Sequence, residues 1–176
     1  MKKVDFREYA ADILKALPTG VLMTTKAEGK VNSMVIGWGN IGTTWGKPSF
    51  VAYVRESRLT RKMLEKNPEF TVNIPLGDFD KKIIAVCGTE SGRDVDKIEK
   101  CGLSLTEPQE IGVPGIKELP LTLECRVLYR QLQDAAAIPQ DIMDVFYPKT
   151  EGNPDISGEV DAHYMLVAEI LSAYIA

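Results

Sequence analysis

Residues 37–48 read Gly-Trp-Gly-Asn-Ile-Gly-Thr-Thr-Trp-Gly-Lys-Pro, and this run limits the choice of fold more than any other stretch of the chain. Its first six residues match G-x-G-x-x-G and follow a segment that reads as a strand. A dinucleotide fingerprint works only when a helix opens at those glycines, because the helix N-terminus holds the pyrophosphate. Thr43-Thr44-Trp45-Gly46-Lys47-Pro48 cannot run as a helix, since β-branched residues are followed by glycine and proline. The run is a glycine-rich strand exit whose glycines let a flat ligand approach the backbone.

The remaining pattern is mainly of period two. VLMTT and VNSMVIGW, joined by Ala27-Glu28-Gly29-Lys30, predict a β-hairpin. Further strands are predicted at 49–55 (SFVAYVR), 69–75 (EFTVNIP), 121–132 (LTLECRVLYRQL) and 163–175 (HYMLVAEILSAYI), six in all. Phe6, Tyr9, Ala10, Ile13, Leu14 and Leu17 predict an N-terminal helix over 5–17, with Asp5 as cap and Pro18 and Gly20 as its end. A short helix begins near Arg58 with Ser57 as N-cap, and two more, FDKKIIAVC and DVDKIEKCG, are closed by Gly88 and Gly102. Residues 134–162, rich in Pro, Gly, Asp and Asn, form a long loop with a helical turn near 142–147. Strands in runs, not each followed by a helix, disfavour a parallel sheet and predict one mainly β, α+β domain over 1–176, a closed or nearly closed antiparallel barrel.

Composition excludes several functions. With 176 residues, 44% of them hydrophobic, the chain buries a core without disulfides or a structural metal. A net charge of −4 argues against nucleic acid and anionic membranes as partners. No apolar run reaches membrane-spanning length, and MKKVDFREYA lacks the apolar core of a signal peptide. Cys87, Cys101 and Cys125 form no C-x-x-C pair and read as reduced thiols, so a cytoplasmic protein is expected. One histidine, His163, rules out a His-rich zinc site; no G-x-S-x-G elbow accompanies it, and no metal site is expected.

Two segments are candidate anion sites. Ser57-Arg58-Leu59-Thr60 sits where a strand hands over to a helix, so backbone N–H groups meet a hydroxyl and a guanidinium. For this segment taken alone, plain capping by Ser57 with a solvated Arg58 is the simpler explanation. Thr89-Glu90-Ser91-Gly92-Arg93-Asp94 leads into the segment bearing Lys97, again as an anion site or as a capped loop with surface charges. Both could converge on one phosphate. Asn73, in an apolar strand, is a buried polar group; Trp38 and Trp45 flank the glycine-rich run as ligand cover or core.

The ordered set of motifs resembles the flavin reductase-like, FMN-binding split-barrel family, which includes flavoredoxin. It comprises N-x-M-x-x-G-W (32–38), G-x-P (46–48), R-x-S-R-x-T (55–60), F-x-V-N-x-P (70–75), S-G-x-D-x-D-K (91–97), L-E-C (123–125) and a histidine opening the last strand. The resemblance implies a six-stranded antiparallel Greek-key split barrel that dimerises with FMN at the subunit interface. Arg58, Thr60, Ser91 and Lys97, flanked by Ser57 and Gly92, would hold the phosphate. Ser33, Met34, Val35, Ile36 and Gly37 would run beside the ribityl chain and ring, with Asn73 nearby. His163 would lie on the nicotinamide side, as the one candidate catalytic residue. The implied activity carries electrons from NADH or NADPH through FMN to a flavin, a protein or a small acceptor. An electron-transfer protein without NAD(P)H turnover, a pyridoxamine-type oxidase and a non-flavin barrel are the alternatives. The chain departs from the family pattern at Asp161 and Ala162, where relatives have Gly and Asp, at Ala168, where Gly is usual, and in the length of the 134–162 loop.

Overall fold

The structure, a computed structural model, describes residues 1–176. The chain opens with β1 (Lys2–Lys3) and the predicted N-terminal helix, which is a 3-10 turn (Phe6–Tyr9), α1 (Ala10–Ala16) and a second 3-10 turn (Leu17–Thr19). Asp5 caps it by accepting from the Arg7 amide, as expected. Hairpin β2 (Val21–Ala27) and β3 (Lys30–Ile36) follows, then hairpin β4 (Gly39–Thr44) and β5 (Lys47–Arg55). Next come α2 (Leu59–Lys66), β6 (Glu69–Ile74), α3 (Lys81–Thr89), α4 (Lys97–Lys100) and a small ribbon, β7 (Leu105–Thr106) with β8 (Gly115–Ile116). The long strands β9 (Leu121–Leu132) and β10 (His163–Ile175) have the predicted bounds, and α5 (Gln140–Phe146) lies in the loop between them.

One antiparallel sheet runs in the order β3-β2-β6-β9-β10-β5-β4, with β1 added beside β10. The two ends of that path, β3 and β4, are joined by only Gly37 and Trp38, so the sheet rolls until its edges face each other. They do not pair, and the result is an open, split barrel. The path holds seven strands rather than the predicted six, because Gly39–Thr44 is a strand and not merely an exit. Two residues at positive φ, Trp45 (+53°) and Gly46 (+73°), turn it directly into β5.

Alternation places the core. Val21 and Met23 of β2 join Phe50, Val54, Phe70, Val72, Leu121 and Leu123 inside the barrel, whose end is plugged by Ile13 and Leu17. Leu22, facing the other way, packs with Ile83, Cys87, Ile116 and Leu119 in a second small core under α3. The strand is thus buried on both faces. Gly88 lies within α3 rather than closing it, because the helix ends at Thr89 with Glu90 as C-cap. No helix is long and apolar enough to cross a membrane.

Candidate functional site

A groove runs along β3, between α2, the 90–97 segment and the 134–162 loop. Its polar end is a cavity of about 190 Å3 lined by Asn32, Ser57, Arg58, Thr60, Ser91, Gly92 and Lys97, among others. The two predicted anion segments therefore do converge. Asn32 Nδ2 donates to Thr60 Oγ1 at 3.1 Å and fixes that hydroxyl against β3. Gly92 packs so closely on the same amide that a Cβ would lie 2.0 Å from Asn32 Oδ1, so a side chain there would have to displace that amide.

The expected N-cap of α2 is not used. Arg58, in extended conformation, occupies the N-cap position and no side chain caps the helix. Ser57 is engaged elsewhere, its amide and hydroxyl donating to the Asp161 carboxylate at 3.0 and 2.6 Å. Asp161 is one of the positions that depart from the family pattern, and it draws Ser57 away from the helix start. The first N–H groups of α2 stay open to the cavity, where a bound anion would accept from them.

Two of the three cations around the cavity, Arg58 and Lys97, lack counter-charges, while the third, Arg93, is paired with Asp155 at 2.8 Å. Lys97 is 4% exposed, and its Nζ donates only to the carbonyls of Cys87 and Glu90, at 3.3 and 3.4 Å. Neither Arg58 nor Lys97 enters an ion pair. The one carboxylate on this rim, Glu90, is held by Lys100. Burial pulls the Lys97 ammonium below its usual pKa, and the Arg58 charge pushes the same way. A buried cation without an anion is a costly arrangement that a phosphate at this point relieves.

The other end of the groove, a second cavity of about 190 Å3, shares Met34, Val35 and Arg58 with the first. It continues past Ile36 and Gly37 to Trp38, Tyr53, Arg55 and His163. His163 pairs across β10 with Arg55 of β5, so the sheet register brings the two together. The His163 ring lies 4.7 Å from that of Trp38, tilted by 43°, and its Nδ1 lies 2.9 Å from Tyr147 Oη. Burial, then the Arg55 charge, lowers its pKa to about 4, so the imidazole is neutral at pH 7. Arg55 itself is a strut, donating to the carbonyls of Asp161 and Phe146 at 2.8 and 2.9 Å with its guanidinium over the Tyr147 ring. It thereby clamps the 134–162 loop against this end of the groove.

Two predicted residues lie elsewhere. Ser33 points away from the groove, its hydroxyl 2.6 Å from Thr24 Oγ1. Asn73 is fully buried with its amide satisfied: it donates to Thr24 and Thr71 and accepts from the Ile116 amide at 2.8 Å and from Thr122. It therefore lies outside the groove, tying β6 to β8, and its polar burial has a structural cause. Sequence reasoning left Asn32, Tyr53, Arg55 and Tyr147 out of the site. Asn32 opens the N-x-M motif, and Tyr53 and Arg55 share a face of a strand that leads into Arg58; Tyr147 carried no local signal. No group of three or more His, Cys, Asp or Glu side chains is placed to hold a metal ion.

With this geometry in place, known proteins give the family. A family model described as a flavin reductase like domain matches residues 14–175. The chain belongs to the flavin reductase-like domain family. An uncharacterized protein of Archaeoglobus fulgidus is 32% identical over 115 residues, 65% of this chain and 62% of that protein. Escherichia coli YddH is 31% identical over 123 residues, 68% of this chain and 64% of that protein. The matched stretches thus span less than two thirds of either curated relative. Among solved structures, flavoredoxin from Methanosarcina acetivorans is similar with a TM-score of 0.63 and 26% identity, over 89% of this chain and 68% of that one. An FMN-binding domain of a flavin reductase-like enzyme from Shewanella baltica shares the fold at a TM-score of 0.63 and 16% identity, over 99% of this chain and 78% of that one. The family of FMN-binding split barrels, flavoredoxins included, is the one this fold belongs to.

Proposed function

We propose that this flavin reductase-like protein binds FMN in the groove along β3 and works as an oxidoreductase that takes electrons from NADH or NADPH. The observation that carries the reading is the unpaired Arg58 and Lys97 beside the open N-terminus of α2. Arg58, Thr60, Ser91 and Lys97 hold the phosphate by charge-assisted hydrogen bonds. Met34 to Gly37 run beside the remainder of the cofactor, and Tyr53 and His163 flank its ring. FMN, when bound, supplies a hydride-accepting ring; the chain supplies anchoring and orientation. His163, neutral at pH 7, orients a ligand by hydrogen bonding and not as a cation. The acceptor is a flavin, a protein or a small molecule. We further propose a cytoplasmic homodimer with the flavin at its interface; exposed Trp45, packed edge to face on exposed Tyr129, supports such an apolar contact.

A second reading is an FMN electron carrier without NAD(P)H turnover. It is favoured by Trp38, Phe146 and the Arg55-clamped loop, which crowd the His163 side of the groove. One experiment separates them. FMN is titrated into the protein and followed by absorbance, and NADH or NADPH is then added anaerobically in a stopped-flow instrument. Bleaching within seconds supports the reductase; bound flavin that stays oxidised supports the carrier; no binding overturns both.

A further inference from the structure

The 134–162 loop folds over a cavity of about 600 Å3 that shares no residue with either end of the groove along β3. Glu56 reaches it from just past the end of β5, Leu132 and Gln133 from the end of β9, and every other wall residue belongs to the loop. The rim is held in shape by a bridge between Lys149 and Val160 and by the Thr150 amide, which donates to the Glu159 carbonyl at 2.8 Å.

Glu56 is only 6% exposed, and its backbone is fixed on both sides. Its N–H donates to the Ala162 carbonyl at 2.9 Å, and its own carbonyl accepts from Arg61 Nε at 3.0 Å. Carboxylate Oε2 accepts from the amide and the hydroxyl of Ser157, at 3.0 and 3.1 Å. Oε1 has no hydrogen-bond partner, and no cation pairs with the carboxylate. No fully enclosed side-chain oxygen of the chain lacks a partner, so Oε1 is open to the cavity that Glu56 lines. The other charges do not balance it. Lys149 is already paired with Glu159 at 2.8 Å, and Asp144 accepts only from the Gln140 amide, at 2.7 Å.

We propose that this cavity binds a small organic cation, a primary ammonium on an apolar body, with its ammonium on Glu56 Oε1. The volume is that of a small-ligand pocket, and Leu132, Ile138, Met143 and Val160 supply apolar wall for the body. A buried carboxylate with half of its acceptors unused is costly, and an ammonium relieves it by a charge-assisted hydrogen bond. A bare metal ion is not the fit, because no three His, Cys, Asp or Glu side chains gather there. An anion such as a phosphate would meet the Glu56 charge directly. The site is separate from the anion cavity, so the proposal does not rest on the FMN reading.

The test uses phenethylamine, with phenethyl alcohol as its neutral counterpart and hydrocinnamate as an anionic one. Each is titrated at pH 7 into the isotope-labelled full chain, with and without FMN, and backbone amide shifts are followed by NMR. The amine is expected to bind at least about tenfold more tightly than the alcohol, and hydrocinnamate more weakly still. The shifts centre on Ala136, Ser157 and Gly158 and spare Asn32 and Ser91, and FMN leaves the amine affinity unchanged. Glu56→Gln keeps an oxygen for Ser157 while removing the charge, and it lowers the amine to the level of the alcohol. Glu151→Gln, an exposed loop carboxylate off the wall, changes neither. Equal affinity for amine and alcohol, no amine binding, or displacement of the amine by FMN overturns the proposal. So does undiminished amine affinity in a folded Glu56→Gln; the three probes on the wild-type chain decide the matter if that variant does not fold. FMN binding is read separately by quenching of its own fluorescence, so amine binding without FMN binding sinks the cofactor reading alone.

Discussion

Tyr147 Oη lies 2.9 Å from His163 Nδ1 and donates to Gln133 Oε1 at 3.0 Å. With the phenolic proton directed to Gln133, the imidazole donates from Nδ1 and leaves Nε2 as an acceptor. The chain has a single histidine, so its imidazole gives one set of NMR signals. They are expected to report a neutral, Nδ1-protonated ring from pH 8 down to about 5, with a midpoint near 4. Tyr147→Phe removes the acceptor for that proton and shifts the ring toward the other tautomer. A wild-type midpoint near the ordinary value of about 6.5 would mean a solvated ring and contradict the geometry.

The same burial makes stability depend on pH. The folded-state pKa lies below that of the unfolded chain, so unfolded molecules bind the proton first as pH falls. This contribution is fully present above about pH 6.5 and is lost by about 1.4 kcal/mol per pH unit down to about 4. Denaturant unfolding at pH 7 and pH 5.5 reads most of the slope above the range of ordinary carboxylates. His163→Gln is expected to lose about 1 kcal/mol less than wild type over that interval. Equal losses in the two proteins would show that His163 titrates normally.

Lys97 tests the anion site against its cost. The buried ammonium has only two carbonyls for partners, at 3.3 and 3.4 Å, and no carboxylate. Lys97→Met removes a desolvated charge while keeping most of the volume. Without ligand, the variant is expected to be as stable as wild type or more so. Its FMN affinity falls about 10- to 100-fold, the worth of one charge-assisted hydrogen bond. Thermal unfolding of the ligand-free protein and FMN fluorescence quenching measure the two effects. Unchanged FMN affinity would remove Lys97 from the phosphate site.

Local signals carried most of the framework. Alternating apolar residues give β9 and β10 their bounds, and Thr43-Thr44-Trp45-Gly46-Lys47-Pro48 correctly excludes a helix. That segment reads from sequence as a strand exit and not as a strand, because Gly39, Gly42 and Asn40 are poor strand formers and only pairing with β5 makes them one. Ser57 looks like an N-cap in any local window; what overrides it is Asp161, a hundred residues away in the chain and adjacent only after β10 pairs with β5. Tyr147 was invisible for the same reason. Its place at His163 is set by Arg55 holding the loop, a contact that no periodicity records.

Asn73 is where resemblance and geometry part. A motif match puts it beside the cofactor, yet its amide is consumed by Thr24, Thr71, Thr122 and the Ile116 backbone. Asn73→Ala leaves the Ile116 N–H without an acceptor at a fully buried position and opens a small void. The expected cost is about 2–4 kcal/mol of folding stability, read by denaturant unfolding. FMN affinity of the folded variant stays within about twofold of wild type, since none of the lost bonds faces the groove. The opposite pattern, intact stability with FMN affinity lowered tenfold or more, would return Asn73 to the cofactor site. It would also require β6 to present that side chain on the opposite face, which a strand's two-residue alternation permits only through a shift of register against β2 and β9.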